Sequence, residues 1–577
     1  MPHETSDNLW RAIVRASALF LLLAGFAFLC LNRFHHIHGQ DEISHYMKLS
    51  RLLFTDGFAH PDELATFSPH LYPLLSCAVA ALFGSINSFT LRTTGLLAWL
   101  ATLLMVCWLT RRSRPVLALS CAVTLPCAVA ATTLIDIDQA VLPCFTLLLV
   151  WGVHAWLERP ADLPRWRLAL LAAAVSVSYA LTLWCRLSTP LILAPLLVAY
   201  SLLRTRRWQS AAGMGALLTA GLIVFLLTWH LYCRRTGICP DGPFDYLMAS
   251  FQETTAGRRS ATLGKLALNA LYTLLWGLNP YAVLLTTLAL RQLLHDWWHS
   301  GRNRLQPCLF LLAGLYLLTA YCLVGGALFG FPKYQMPGFP LLVVGLAQFA
   351  AHHWQRQLLH LHRGRLAAFA IGAFLIALLA GDQLLTLRTT LRDAIVDGDS
   401  TAPALTALIS HLAVTHLALA TAIVFLLRRR LLPPVPTLIA ASLALNLALL
   451  LHQSTAPYSC GYLYGDTGDT RNVAAFINDN LIDPERSLLP VEVLHELPRL
   501  DLAHRPPLLL DDLEAIRTTI RATSPEAIAI SHLVFPAESV RRFLEDPELG
   551  RLLGSQYRRT GIGRYWLWHR LKTTPLR

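Results

Sequence analysis

The sequence predicts an α-helical polytopic membrane protein of about 13 transmembrane helices, followed by a soluble C-terminal α/β domain. Three observations lead to this prediction. The composition is 55% hydrophobic and only 14% charged, whereas soluble domains carry about 25% charged residues. Apolar runs long enough to cross a bilayer recur through residues 1–452. Short arginine clusters separate these runs, and the character of the sequence changes after residue 452.

Apolar runs that approach the length of about 20 residues needed to cross a bilayer are the candidate spans. They lie at roughly 12–31, 91–110, 116–134, 139–157, 167–185, 188–203, 212–230, 270–290, 307–327, 337–352, 366–384, 405–427 and 434–452. No small-residue cleavage site follows the first run, so we expect it to be retained as a membrane anchor.

The arginine clusters predict the direction of the spans. Seven arginine clusters, named below, all fall on one side of the membrane when the N-terminus is cytoplasmic, as the positive-inside rule requires. The C-terminus then lies outside. The clusters are Arg11 and Arg15; Arg111, Arg112 and Arg114; Arg159, Arg165 and Arg167; Arg204, Arg206 and Arg207; Arg302 and Arg304; Arg356, Arg363 and Arg365; and Arg428 to Arg430. Topology and attraction to lipid therefore explain the net charge of +13, and nucleic acid is not expected as a partner.

One further apolar stretch, "SPHLYPLLSCAVAALFG" at residues 68–84, is left out of the span count. It is short and bounded by proline, and counting it as a crossing would place Arg111 and its neighbours outside. We predict a juxtamembrane or re-entrant helix, which is tolerated at membrane depth when it packs against protein. This helix belongs to a first outer loop that covers residues 32–90.

Residues 453–577 differ in kind from the membrane domain of residues 1–452. They are charged and rich in proline, and they combine alternating patches such as "SLLPVEVL" and "EAIAISHLVF" with the helix-like "TRNVAAFINDNL". This mixture predicts a small extracytoplasmic α/β domain.

Polar residues from distant parts of the sequence fall on the outer face in this topology. Asp41 and Glu42 follow the first span, and a short turn after the third span carries two more carboxylates. Arg186 lies in another outer turn, and a "KY" pair lies in "FGFPKYQMPGFPLL". Charges this close to hydrocarbon are costly, so by default they indicate a functional site. The remaining outer residues are Asp136, Asp138, Lys333 and Tyr334.

The order of these motifs resembles that of the polytopic GT-C glycosyltransferases. The motifs are "DE" at 41–42, "PHLYPLL…LFG" at 69–84, an aspartate in the outer turn after the third span, and "KYQMPGFP" at 333–340. The nearest groups are the protein O-mannosyltransferases and the bacterial lipid A aminoarabinose transferases. The resemblance covers roughly residues 10–350. It implies transfer of a sugar from a polyprenyl-phosphate carrier to an acceptor outside the membrane, with inversion at the anomeric carbon.

Site residues follow from the resemblance, position by position. Asp41 matches the catalytic aspartate and Glu42 its neighbour, while either Asp138 or Asp136 matches the second acidic position. The resemblance assigns the carrier phosphate to Arg186, Lys333 and Tyr334, and the substrate groove to His70 and Tyr72. His70 stands where the usual motif has a second proline, so the groove is expected to differ there.

The chemistry of these residue types agrees with such a reaction. A carboxylate whose pKa is raised by partial desolvation can deprotonate an attacking hydroxyl. Cations held in place stabilise the charge that develops on a departing phosphate, and arginine binds phosphate with two parallel hydrogen bonds. The expected partners are a polyprenyl-phosphate sugar donor, a lipid, glycan or protein acceptor, and membrane lipids. The expected location is the inner membrane of a bacterium, with the site facing the periplasm.

Other interpretations of the same residues stay open. The aspartates could cap helices, Arg186 could extend to the interface from a helix end, and Tyr334 could be an interfacial anchor. His38 and His45 are weak candidates for binding a divalent cation. A transporter or flippase for a lipid-linked substrate is the alternative function, although transporters place polar groups at mid-membrane and show repeated halves.

Overall fold

The computed structural model describes residues 2–32, 34, 47–59, 61–64, 69–125, 128–133, 140–160, 162–237, 244, 270, 278–300, 308–324, 334–359, 363–379, 417, 419–455, 468–490, 493, 497, 513–531, 537–563 and 565–571. Statements about structure below concern these residues.

Helices make up the described part of residues 1–455. They are α1 (Pro2–Asn32), α2 (Lys48–Thr55), α3 (Pro61–Leu64), α4 (Leu71–Phe83), α5 (Ser88–Leu109), α6 (Pro115–Val123), α7 (Ala128–Thr133), α8 (Leu142–Leu157), α9 (Arg165–Cys185), α10 (Ser188–Thr205), α11 (Trp208–Thr236), α12 (Pro280–Ser300), α13 (Leu309–Val324), α14 (Gly338–His353), α15 (Gln355–Leu359), α16 (Arg363–Leu379), α17 (Leu419–Arg428) and α18 (Pro434–Thr455).

Six of the described helices are long and apolar enough to cross a membrane. The segments are Ala12–Leu31, Phe89–Leu109, Arg165–Cys185, Ser188–Thr205, Trp208–Thr236 and Pro434–Leu451. Shorter apolar helices, among them α8, α13 and α16, lie between them in the sequence. The chain is therefore a multi-pass membrane protein, as the apolar runs predicted.

Two predicted spans differ from the observed helices. The run at 116–134 is not one helix, because α6 ends at Val123 and α7 begins at Ala128. Pro126 lies in this break, and a proline inside a helix removes a backbone donor and clashes with the preceding turn. The run at 270–290 also differs, since α12 continues to Ser300, ten residues beyond the predicted end.

The stretch excluded from the span count forms the 13-residue helix α4. Its length of about 20 Å is less than the roughly 30 Å of a bilayer core, and its juxtamembrane or re-entrant placement stays a prediction. Gly84 ends α4 in the left-handed region at φ +67°. Helix α5 begins soon afterwards with a capping box, in which Asn87 and Thr90 each accept a hydrogen bond from the other's backbone N–H.

One continuous apolar core joins the membrane helices. Helix α9 packs between α8 and α11, and α10 packs on both α11 and α13. Helices α13 and α14 lie closely against each other, as do α16 and α18. Helix α4 packs on α2, on α5 and on α9, the helix that precedes Arg186.

The C-terminal part has a three-stranded antiparallel sheet with strand order β1-β3-β2. Its central pairing places Ala527 opposite His569 and Ser531 opposite Tyr565. Strand β1 is buried on both faces because helices cover the two sides of the sheet, as separate apolar clusters on each side show. The elements are α19 (Gly468–Asp479), α20 (Leu513–Thr523), β1 (Ala527–Ser531), α21 (Ala537–Glu545), α22 (Pro547–Gln556), β2 (Tyr557–Ile562) and β3 (Tyr565–Arg570). The predicted α/β character is confirmed.

Asp546 connects two helices of this domain. Its carboxylate caps α22 by accepting the backbone N–H groups of Glu548 and Leu549, and it pairs with Arg517 of α20. The hydrogen bond from Leu549, and then the one from Arg517, hold the pKa of Asp546 below its usual value.

Candidate active site

Arg186 occupies the two-residue connection between α9 and α10. Helix α9 ends at Cys185, and Arg186 takes an extended conformation while its backbone N–H still donates to the Thr182 carbonyl. The chain therefore turns away from the helical path of α9 at Arg186. Its Nε donates to the Ser188 hydroxyl at 2.8 Å, so the first residue of α10 holds the guanidinium in place.

Two tyrosines complete the surroundings of Arg186. The guanidinium carbon lies 3.8 Å from the ring centroid of Tyr334 and 6.0 Å from that of Tyr321. Both distances are within the range of a cation–π interaction. The two rings lie 5.8 Å apart at 33°, so they form a tilted pair beside the cation.

Tyr321 connects α13 to the start of α10. Its hydroxyl lies 2.5 Å from Thr189 Oγ1 and 3.1 Å from Ser188 Oγ, and the side chain is buried. Arg186, Ser188, Thr189, Tyr321 and Tyr334 thus form one polar group, which we call the arginine cluster. Arg186 and Tyr334 in it are half-buried, so part of each side chain stays accessible.

This geometry suits recognition of an anion at the membrane surface. Arginine keeps its charge in any environment, and its planar fork matches phosphate oxygens. Stacking on Tyr334 and the bond to Ser188 restrict the side chain before a ligand arrives, so less entropy is lost on binding. The arginine cluster can therefore supply a fixed positive charge at one end of the membrane helices.

An aromatic cluster lies at the same end of α9. Trp184, two residues before Arg186, has its ring centroid 5.4 Å from that of Trp229 and 5.5 Å from that of Tyr232. Tyr232 is joined to His70 Nδ1 by a hydrogen bond of 2.7 Å. Helix α4 of the first outer loop is therefore attached, through His70, to the helix ends beside the arginine cluster.

The two residues predicted to line a substrate groove, His70 and Tyr72, are both buried. Tyr72 donates its hydroxyl to the Leu91 carbonyl of α5 at 3.0 Å. These contacts attach α4 to its neighbouring helices, and the groove assignment stays a prediction.

Replacement of Tyr232 by phenylalanine is expected to loosen the first outer loop. The change removes the bond to the buried His70 ring, and losing a buried hydrogen bond costs about 1–2 kcal/mol. We expect a lower midpoint of thermal unfolding in detergent and faster proteolysis between α3 and α4. Tyr316→Phe on the exposed side of α13 is the matched control and should change neither. Equal behaviour of the two variants would contradict the role of this bond.

The segments that flank the predicted acidic residues converge on α5. Phe34, just after α1, accepts a hydrogen bond of 2.9 Å from Arg92. Gly95 lies one turn further along α5. A Cβ at this position would lie 2.6 Å from the carbonyl oxygen of Thr132 and 3.0 Å from the Cβ of Ala140, and these two residues lie on either side of 134–139 in the sequence. Positions 92 and 95 share one helix face. The flanks of both acidic segments thus contact the same face of α5.

Several predicted site residues lie outside the described part of the chain: Asp41, Glu42, Asp136, Asp138, Lys333, His38 and His45. Within the described residues, no group of three or more His, Cys, Asp or Glu side chains could hold a metal ion. The divalent cation considered for His38 and His45 stays a prediction.

Two arginines of interest were not singled out from the sequence. Arg92 is completely buried near the start of α5, where "SFTLRTTGLL" places an arginine at the edge of an apolar run. Arg51 lies on α2, and its buried Nε has no hydrogen-bond partner among the residues that the structure describes. Burial lowers the pKa of Arg51 to about 10. A charged side chain at the edge of an apolar run is the signal that could have found Arg92; Arg51 stands among both polar and apolar residues in "MKLSRLLFTD", which gives no such signal.

No protein-family model matches the sequence, and no curated protein matches it significantly. Solved structures do share its fold over almost the whole chain. The architecture implied by the sequence motifs is therefore confirmed at the level of the fold.

Among the similar structures are two crystal structures of ArnT from Cupriavidus metallidurans. The one bound to undecaprenyl phosphate superposes with a TM-score of 0.57 at 16% identity, covering 98% of each chain. The one in the apo state has a TM-score of 0.55 at 16% identity, covering 96% of this chain and 98% of ArnT.

Proposed function

We propose that this protein is an inverting glycosyltransferase. It moves a sugar from a polyprenyl-phosphate carrier to an acceptor hydroxyl on a lipid, glycan or protein. The reaction takes place on the outer face of the bacterial inner membrane, which the C-terminal domain of residues 453–577 also faces. The membrane domain of residues 1–452 holds the active site.

The arginine cluster is the observation that carries this proposal. It offers a restrained guanidinium, stacked on Tyr334 and bonded to Ser188, at the end of a membrane helix. A phosphate attached to a lipid presents its charge at that depth, and a restrained arginine suits it. The shared fold supports this interpretation, since ArnT of C. metallidurans was crystallised with undecaprenyl phosphate.

The proposed reaction is a displacement at the anomeric carbon. The acceptor oxygen forms a bond to this carbon from the face opposite the phosphate, and its proton passes to a carboxylate, for which we propose Asp41. The bond between the anomeric carbon and the phosphate oxygen breaks, and its electron pair leaves with the polyprenyl phosphate. Arg186, with Lys333 and Tyr334, stabilises that leaving group.

The convergence on α5 supports a role for two acidic segments in one site. Arg92 and Gly95 contact the flanks of residues 35–46 and 134–139 from the same helix face. We therefore propose that Asp41, with Glu42 beside it, acts together with Asp138 or Asp136. One carboxylate takes the proton, and another orients the acceptor or the sugar.

The test is sugar transfer from a panel of polyprenyl-phosphate sugars in purified membranes, with wild type compared to Asp41→Asn at matched expression. We expect transfer from at least one donor in the wild type and its loss in the variant, because asparagine cannot accept the proton. Anomeric configuration of the product, measured by NMR, checks inversion.

Asp136→Asn and Asp138→Asn serve as parallel variants in the same assay. Retained activity in Asp41→Asn together with loss of activity in one of these two variants would indicate that Asp136 or Asp138, rather than Asp41, accepts the proton. No transfer in the wild type from any donor, with a panel that includes pentose and hexose carriers, would contradict the proposal and favour the transporter.

A further inference from the structure

A cleft of about 1180 Å³ lies between helices at the end of the membrane domain opposite the arginine cluster. Its walls come from α1, α6, α16 and α18, with the junction of α14 and α15 beside them. The α5–α6 connection, which carries Arg112 and Arg114, borders the cleft, as does Arg15 of α1. The positive-inside rule puts these arginines on the cytoplasmic side.

The walls of the cleft are apolar stripes at helical spacing. Helix α18 contributes residues of one face, spaced by three or four positions. They are Pro436, Ile439, Ala440, Leu443, Ala444 and Leu447. From Pro436 to Leu447 this face is about 16 Å long, which is half of the roughly 30 Å hydrocarbon thickness. The length of this face therefore matches the depth of a single leaflet, which suits a lipid chain of that leaflet.

The charges at the cleft are of one sign. Arg15, Arg112 and Arg114 are its charged lining residues, and the described lining includes no acidic side chain. The hydroxyl groups of Ser113 and Ser120 add polar contacts near the same end. Basic pockets between membrane helices on the cytoplasmic side are suited to anionic lipid headgroups.

We infer that this cleft binds an anionic phospholipid of the cytoplasmic leaflet. The phosphate lies on Arg112 and Arg114 with Arg15 opposite, and an acyl chain lies along the α18 face. The site is separate from the arginine cluster, and the inference does not rest on the proposed sugar transfer.

The test is native mass spectrometry of the purified full-length protein with palmitoyl-oleoyl phosphatidylglycerol or the matching zwitterionic phosphatidylethanolamine. The wild type is expected to retain phosphatidylglycerol preferentially. The Arg112→Gln/Arg114→Gln variant is expected to bind it roughly 25-fold more weakly, since each basic residue near a lipid surface contributes on the order of fivefold. Its binding of phosphatidylethanolamine should not change.

Arg111→Gln is the matched control for charge. Arg111 precedes Arg112, but its guanidinium lies 4.5 Å from the Trp108 ring centroid and does not line the cleft. Arg111→Gln should keep wild-type binding. If Arg111→Gln lost as much phosphatidylglycerol binding as the double variant, the binding would depend on surface charge in general rather than on this cleft, and the inference would be overturned.

Two variants test the apolar walls. Ala440→Trp fills the cleft from α18 and Ala370→Trp fills it from α16, and either one that elutes as a folded monodisperse protein should lose both lipids. Retention of phosphatidylglycerol by a folded filled variant would place the lipid elsewhere. Displacement of phosphatidylglycerol by millimolar inorganic phosphate would reveal a free-anion site and would equally overturn the inference.

Discussion

Replacement of Arg186 by alanine is expected to lower sugar transfer about 10²–10³-fold, the usual effect of removing one group that stabilises transition-state charge. The guanidinium is held by Ser188 at 2.8 Å and stacks on Tyr334 at 3.8 Å. In the proposed reaction it would therefore need little reorganisation when charge develops on the leaving phosphate. The measurement is the initial rate of transfer with saturating donor, so that loss of donor binding alone does not account for the result.

Arg186→Lys separates charge from geometry in the same assay. Lysine keeps the positive charge but lacks the planar fork and the Nε donor, so we expect activity between those of the wild type and the alanine variant. Arg165→Gln is the control on the same helix, since Arg165 begins α9 at the opposite end and is exposed. A wild-type rate of transfer in Arg186→Ala would show that the arginine cluster has no role in the reaction.

The second large effect is expected at Gly345, where α14 passes α13 in direct backbone contact. A Cβ at this position would lie 2.4 Å from the Leu311 nitrogen and 2.6 Å from its Cα. Backbone atoms cannot move aside as a flexible side chain can, and small residues allow such close approach of membrane helices. Gly345→Leu is therefore expected to abolish folded, monodisperse protein. Gly345→Ala should lower the unfolding midpoint clearly, by the equivalent of about 3 kcal/mol or more.

Gly372→Ala on α16 is the matched control because no atom of another helix in the described part of the chain lies within 4 Å of a Cβ at that position. Alanine there should be neutral or stabilise the helix by about 1 kcal/mol. Thermal unfolding of both variants in the same detergent checks the contrast. A destabilisation of equal size in the two variants would show that the contact of α13 with α14 is not what makes Gly345 necessary.

The pair of α13 and α14 also matters for the site. Tyr321 belongs to α13, and Tyr334 precedes α14 by four residues. A displacement of these two helices would move both tyrosines relative to Arg186. We therefore expect any folded Gly345→Ala protein to lose part of its transfer activity.

Arg186 and Tyr334 are two residues of the candidate site that the sequence predicted. Their placement on one membrane face followed from counting spans and from the arginine clusters, and the structure brings the two side chains into contact. Tyr321 was not anticipated, because in "LFLLAGLYLLTAYCLV" it looks like any aromatic residue of an apolar helix. Its hydroxyl bonds to Ser188 and Thr189 arise only when α13 packs on α10.

The sequence by itself determined that the chain is a multi-pass membrane protein with a C-terminal α/β domain, and its motifs predicted the fold it shares with ArnT. These properties depend on hydrophobicity, proline and charge along the chain, which are local and additive. The break between α6 and α7 coincides with Pro126, which the sequence also shows. The contact face of α5 and the cleft lined by α1, α6, α16 and α18 were decided only by tertiary structure. Both depend on which side chains meet across helices that are far apart in sequence. The shapes of the packed helices, rather than their composition, determine these contacts.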